Sequence, residues 1–117
     1  MEHLIDALFD LSPQVRYVAV YRYGELSLRQ RRDLSLASAA ESDRYEELLV
    51  NPTVLTLTRQ RGDIDCGGLA YVVVRYGTFF QFVAPIESGH VSVAFELEAD
   101  PIARAREVLR TIEMHLA

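Results

Sequence analysis

The chain has 117 residues, half of them hydrophobic and a quarter charged, which is the size and make-up of one globular domain with its own core. Its net charge of −5 argues against a nucleic-acid or anionic-membrane partner, since both need a basic footprint, and no apolar run approaches the ~20 residues that span a bilayer. A single cysteine, Cys66, excludes an internal disulfide framework and a multi-cysteine zinc site.

Leu4, Ile5, Leu8, Phe9 and Leu11 recur at helical spacing, so a short amphipathic helix is predicted over 2–11, ended by Ser12-Pro13. The stretch 15–21 is β-branched and aromatic, hence a strand. After the turn Arg22-Tyr23-Gly24, residues 25–31 alternate, with Leu26 and Leu28 inward and Glu25, Ser27 and Arg29 outward, as in an edge strand. Residues 33–41 read as a loop. A middle helix is predicted over 43–61, capped by Ser42, kinked or divided at Asn51-Pro52 and stopped at Gly62. Three strands follow, at 69–75, 78–84 and 91–97, joined by Tyr76-Gly77 and by a loop from Pro85 to Gly89. The third alternates cleanly, whereas the first two are apolar on both faces and predict a sheet covered on both sides. A last helix is capped by Asp100, opens at Pro101 and turns Ile102, Ala105, Leu109, Ile112 and Leu116 inward.

Sites of chemistry are sparse. No glycine-rich phosphate loop is present, and Gly67-Gly68 merely precedes a strand. His3, His90 and His115 show no ligand spacing, and the two aspartates of Arg61-Gly-Asp63-Ile-Asp65 lack the rest of a calcium loop. His90 is expected at a surface or rim and Cys66 as a small, partly buried hydrophobe; a catalytic pair of the two lacks an orienting third group. The cluster Arg29, Arg31 and Arg32 reads as a solvated edge or a partner-binding patch. All twelve basic residues are arginine, so every cationic contact is a planar, permanently charged fork. The acidic start, Met1-Glu-His-Leu-Ile-Asp, has no basic n-region or apolar core, so a cytoplasmic protein is expected.

The expected architecture is therefore α+β: helix, hairpin, helix, three-strand meander and helix in a single domain, 1–117, with a five-stranded antiparallel sheet and helices on both faces. This order, with the 15–21/25–31 hairpin and its glycine turn, Gly67-Gly68 before the meander, Tyr76-Gly77 and the final helix from Pro101, resembles the roadblock domain. That family takes its name from a dynein light chain and includes bacterial regulators of Ras-like small GTPases; profilin- and longin-type domains share much of the architecture. The resemblance implies a homodimer in which the middle helix, 43–61, and the first meander strand, 69–75, meet their counterparts. The interface residues would be Leu48, Val54, Leu55, Leu69, Tyr71 and Val73. A long uncharged strand of this kind, placed at a sheet edge, needs covering, and self-pairing is the simplest cover.

The resemblance further implies a non-enzymatic module that binds or regulates a Ras-like small GTPase or scaffolds a signalling complex, with no catalytic residue, cofactor or metal. Pro52 inside the middle helix and the absence of lysine depart from the family pattern, and the first bears on dimer geometry. The alternative reading is a small-molecule sensor whose pocket between sheet and helices is lined by Tyr71, Phe80 and Phe82.

Overall fold

The computed structural model describes residues 1–32, 34 and 39–116. Its elements are α1 (Glu2–Phe9), β1 (Val15–Arg22), β2 (Glu25–Gln30), a long middle helix, β3 (Val72–Arg75), β4 (Phe80–Ile86), β5 (Gly89–Phe95) and α4 (Pro101–Leu116). The middle helix is made of α2 (Ala40–Tyr45), a π-helical turn (Glu46–Val50) and α3 (Asn51–Asp65). Of the loop expected at 33–41, residues 33 and 35–38 lie outside the described residues, and Ala40 and Glu41 already belong to α2.

All five strands are antiparallel, in the order β2-β1-β5-β4-β3. The β1–β5 pairing joins the hairpin to the meander, which leaves β2 and β3 as the two edges. Register then sorts side chains by face. Val20, Val91 and Ala84 fall in one cross-strand row, and Val18, Val93, Phe82 and Val73 in the next. These rows pack with Leu4, Ile5 and Leu8 of α1 and Ala105, Val108 and Ile112 of α4 into the main core. The opposite face carries the rows Gln30, Tyr17, Ala94, Gln81, Val74 and Leu28, Ala19, Ser92, Val83, Val72. It is covered by the middle helix through Glu47, Asn51 and Leu55, all buried.

Several local expectations are corrected. The first meander strand begins at Val72, so Leu69 and Tyr71 precede it. The next two are joined by the two-residue turn Glu87-Ser88, and Pro85 lies inside β4. Gly89 permits this pairing, since a Cβ there would collide with the Tyr21 carbonyl oxygen. On α4, Ile102 is 67% exposed and Val108 is fully buried, so the docking stripe runs through Ala105, Val108 and Ile112. The predicted cap is present: the Ala103 amide donates to Asp100 Oδ1 at 3.1 Å.

Pro52 does not divide the middle helix. Backbone dihedrals stay helical on either side of the π turn, at Glu46 (φ −58, ψ −49) and Asn51 (φ −63, ψ −45). Proline has no amide hydrogen to donate, and its ring crowds the carbonyl four residues back. The turn just before it is widened instead, and the Asn51 amide donates to the Glu46 carbonyl, five residues away. Ser42 is not the cap, because the helix starts two residues earlier. Nor does Gly62 stop it. Gly62 lies buried in α3, where the Cys66 and Gly68 amides donate to its carbonyl, and the stop falls at Gly67, whose φ of 78° suits glycine.

Candidate functional site

Polar chemistry concentrates between the middle helix and the sheet. The π turn directs Glu47 inward, with none of its surface exposed. Four side chains from three elements converge on its carboxyl group. Ser92 Oγ donates to Oε1 at 2.6 Å, Asn51 Nδ2 donates to the same oxygen at 2.9 Å, and His90 Nε2 lies 2.8 Å from it. Tyr17 OH donates to Oε2 at 2.7 Å. Asn51 also donates to Ser92 Oγ at 3.0 Å. Burial, reinforced by the Glu47 carboxyl, holds the Tyr17 phenol far above its usual range, so it stays a donor. A carboxyl with its acceptor sites filled this way joins the helix to β1 and β5 as one unit.

Towards the N-terminal end of the helix the two layers part. A cavity of about 610 Å³ opens there, bordered by Tyr17, Gln30, Glu46, Phe79 and Gln81, with Tyr45 among the outer residues. Tyr76 OH reaches across from the β3–β4 loop to both Glu46 oxygens, at 3.0 and 3.1 Å. Burial raises the Glu46 carboxyl above its ordinary range, with the Tyr76 bond offsetting part of the effect. Burial and the facing Glu46 push the Tyr76 phenol up to about 12. Gln81 is 2% exposed, and its Nε2 finds no hydrogen-bond partner among the described residues.

The residues singled out in the sequence are dispersed. Arg29 Nη2 bonds Asp6 at 2.6 Å, and its guanidinium lies over Phe9. Arg31 bonds Glu96 at 2.9 Å and the Pro13 carbonyl at 2.6 Å, while Arg32 is exposed. The cluster is thus held largely within the protein's own surface. Cys66 is exposed, against expectation, and donates to its neighbour Asp65 at 3.3 Å. His90 is 1% exposed, not a rim residue, because β5 is central in the sheet and its polar side faces Glu47. The alternation in 91–97 had marked that side; its covering by a helix was not visible there.

Of the interface candidates, Leu48 is 42% exposed on the helix, and Val54 is half-buried. Leu55 is 4% exposed and faces the sheet, so it cannot meet a second copy. Leu69 is half-buried, while Tyr71 and Val73 pack against the main core. The sensor lining is also displaced. Tyr71 stacks on the fully buried Phe82, with centroids 4.9 Å apart, and Phe80 joins the same core, on the face opposite the 610 Å³ cavity. Glu47, Tyr17, Asn51, Ser92 and Gln81 were missed. In the sequence Asn51 reads only as part of the Asn51-Pro52 break and the others as ordinary helix or strand positions.

Among the described residues no group of three or more histidine, cysteine, aspartate or glutamate side chains could hold a metal ion, and no helix is long and apolar enough to cross a membrane. No protein-family model matches the chain, and no curated protein matches it by sequence. Solved structures do match. A Roadblock/LC7 domain from Streptomyces avermitilis superposes with a TM-score of 0.72 at 17% identity, over 99% of this chain and 97% of that one. MglC from Myxococcus xanthus superposes with a TM-score of 0.56 at 13% identity, over 93% and 89%. The fold of this chain, five antiparallel strands between a middle helix and a terminal helix pair, is the roadblock/LC7 fold.

Proposed function

We propose that the chain is a non-enzymatic, homodimeric interaction module that binds or regulates a Ras-like small GTPase or scaffolds a signalling complex. The observation that carries this reading is the outer side of the middle helix. Tyr45, Leu48, Leu49, Leu57 and Ile64 are 61, 42, 51, 62 and 76% exposed on one element. Apolar side chains spaced along a single helix in this way mark a surface meant for a protein partner. β3 supports the reading, because it is an edge strand of three valines and one arginine with one side of its backbone open. Two-fold contact through helix and edge would cover both. The interface therefore shifts from the six residues first expected to the outer helix side with Leu48, and β3 contributes backbone more than the core-facing Val73.

The polar hub supports a non-enzymatic role. Glu47, His90 and Ser92 have the residue types of a hydrolytic triad, but they are 0, 1 and 0% exposed, and Ser92 donates to the Glu47 carboxyl that His90 also meets, which is not the nucleophile-to-base contact of a triad.

The experiment is light scattering on Leu49→Glu and Leu57→Glu. Both positions are exposed in the single chain, so the variants should stay folded and run as monomers where the parent is a dimer. Either variant remaining dimeric, or a monomeric parent, overturns the reading. Val73 makes a poor probe, since it packs against the main core and a charge there disturbs the fold as well as the edge. With the parent as bait, co-purification of a Ras-like GTPase from the native cell tests the partner.

A further inference from the structure

The cavity between the middle helix and the sheet shares Tyr45 with the outer side of the helix, and its walls are chemically uneven. Its floor is the row Gln30, Tyr17, Ala94, Gln81. Alternation turns Phe82 to the main core, so Gln81 projects from the opposite side, towards the middle helix. There its amide nitrogen has no acceptor among the described residues, although leaving a buried donor unpaired is costly. The helix wall and rim carry carboxyl groups, Glu46 half-buried and Glu41 exposed, while Tyr17, Tyr45, Tyr76 and Phe79 border the space. Arg16, the basic residue of the lining, turns to Glu96 at 2.6 Å and lies over Phe79. About 610 Å³ falls within the range of small-molecule sites.

We infer that this cavity binds a small aromatic amine: the ammonium group on the Glu46 carboxylate near the Glu41 rim, the ring among the tyrosines and Phe79, and a hydrogen-bond acceptor at the far end on Gln81 Nε2. Each part answers a feature of the walls. An ammonium satisfies carboxylates and is attracted to aromatic faces, whereas an anion meets carboxylates on the helix side. An acceptor on the ligand supplies what Gln81 lacks, and the unpaired donor makes analogues without it bind less well. The helix wall is a π turn, a distortion that recurs at functional sites, and here it places Glu46 and Glu47 side by side in the cavity wall, the second of them also at the centre of the hub.

Three probes separate the contributions in the 117-residue chain. Tyramine carries the ammonium and a phenol oxygen, phenethylamine lacks the oxygen, and 3-(4-hydroxyphenyl)propionate replaces the ammonium by a carboxylate. Titrations followed by amide resonances should show saturable tyramine shifts confined to 41–50, 76–81 and the facing part of β1. Phenethylamine should bind severalfold more weakly, and the propionate should not bind. Glu46→Gln should weaken tyramine roughly 10- to 100-fold, the loss expected of a charge-assisted bond. Glu41→Gln, at an exposed position that cannot disturb the fold, should weaken it by a smaller factor. Gln81→Leu should erase the difference between tyramine and phenethylamine. The inference is overturned if tyramine gives no saturable shifts, if the propionate binds as well, if the shifts map to α1 and α4, or if a folded Glu46→Gln binds like the parent.

Discussion

The two faces of the sheet are closed in opposite ways. Under α1 and α4 the buried cluster is built of apolar side chains, from Leu4 and Phe82 to Val108, and the ion pair of Arg29 with Asp6 lies at its exposed margin. Under the middle helix only a small apolar cluster, Tyr17, Ala19 and Ala94 with Leu26, Leu28 and Phe79, is present among the described residues. Closure there depends on the Glu47 hub and gives way to a cavity beside it. Apolar packing is non-directional and fills space, while hydrogen bonds act only at set angles, so a layer held by one polar cluster leaves room around it. The first face makes the domain stable. The second leaves space beside its polar cluster.

Phe82→Ala should give the largest effect, because it deletes a ring with no exposed surface from the close-packed face. A loss of about 4 kcal/mol is expected in denaturant unfolding. A loss under about 0.5 kcal/mol, the ordinary range for surface sites, would remove the contrast between the faces.

Glu47→Ala leaves Tyr17, Asn51, His90 and Ser92 without their shared acceptor. It should cost about 3 kcal/mol, and the location of the damage matters more than its size. Hydrogen exchange should accelerate in the middle helix while β4 and β5 keep their protection in the main core. Equal loss of protection across both faces would mean that they are one cooperative unit.

The smallest effects are in pH dependence, and they have opposite signs. At the rim of the polar face, burial acts to raise the Glu96 carboxyl, but Arg16 and Arg31 outweigh it and leave the group below its ordinary range. A folded-state value lower than the unfolded one gives stability above the ordinary glutamate range that is lost as pH falls through the lowered value. Glu96→Gln should therefore destabilise at neutral pH and cease to do so in acid. Glu46 is raised, so the folded state holds its proton longer and stability falls as pH climbs from the ordinary value through the raised one. Glu46→Gln should remove that decline. Urea midpoints from acid to neutral pH check both, and parallel profiles for the two variants would contradict the assigned environments.

What the sequence alone determined is everything that repeats at short range. β-branched, aromatic or alternating stretches located five strands, the Asp100-Pro101 start and its apolar stripe located α4, and strands apolar on both sides required a covering on each face. Even the resemblance to the roadblock fold was carried by the order of such elements. Tertiary structure decided the rest, because the deciding contacts join residues that no local pattern relates. Glu47 meets Tyr17 across 30 positions and Ser92 across 45. His90 became a buried partner only because β5 pairs with β1 and so lies at the centre of the sheet. Proline at 52 signalled a break, but whether the helix would divide or widen depended on Asn51 and Glu47 finding partners on the strands. A polar residue on a strand shows its side, not what will lie against it, and here the helix laid against that side made the hub and the cavity.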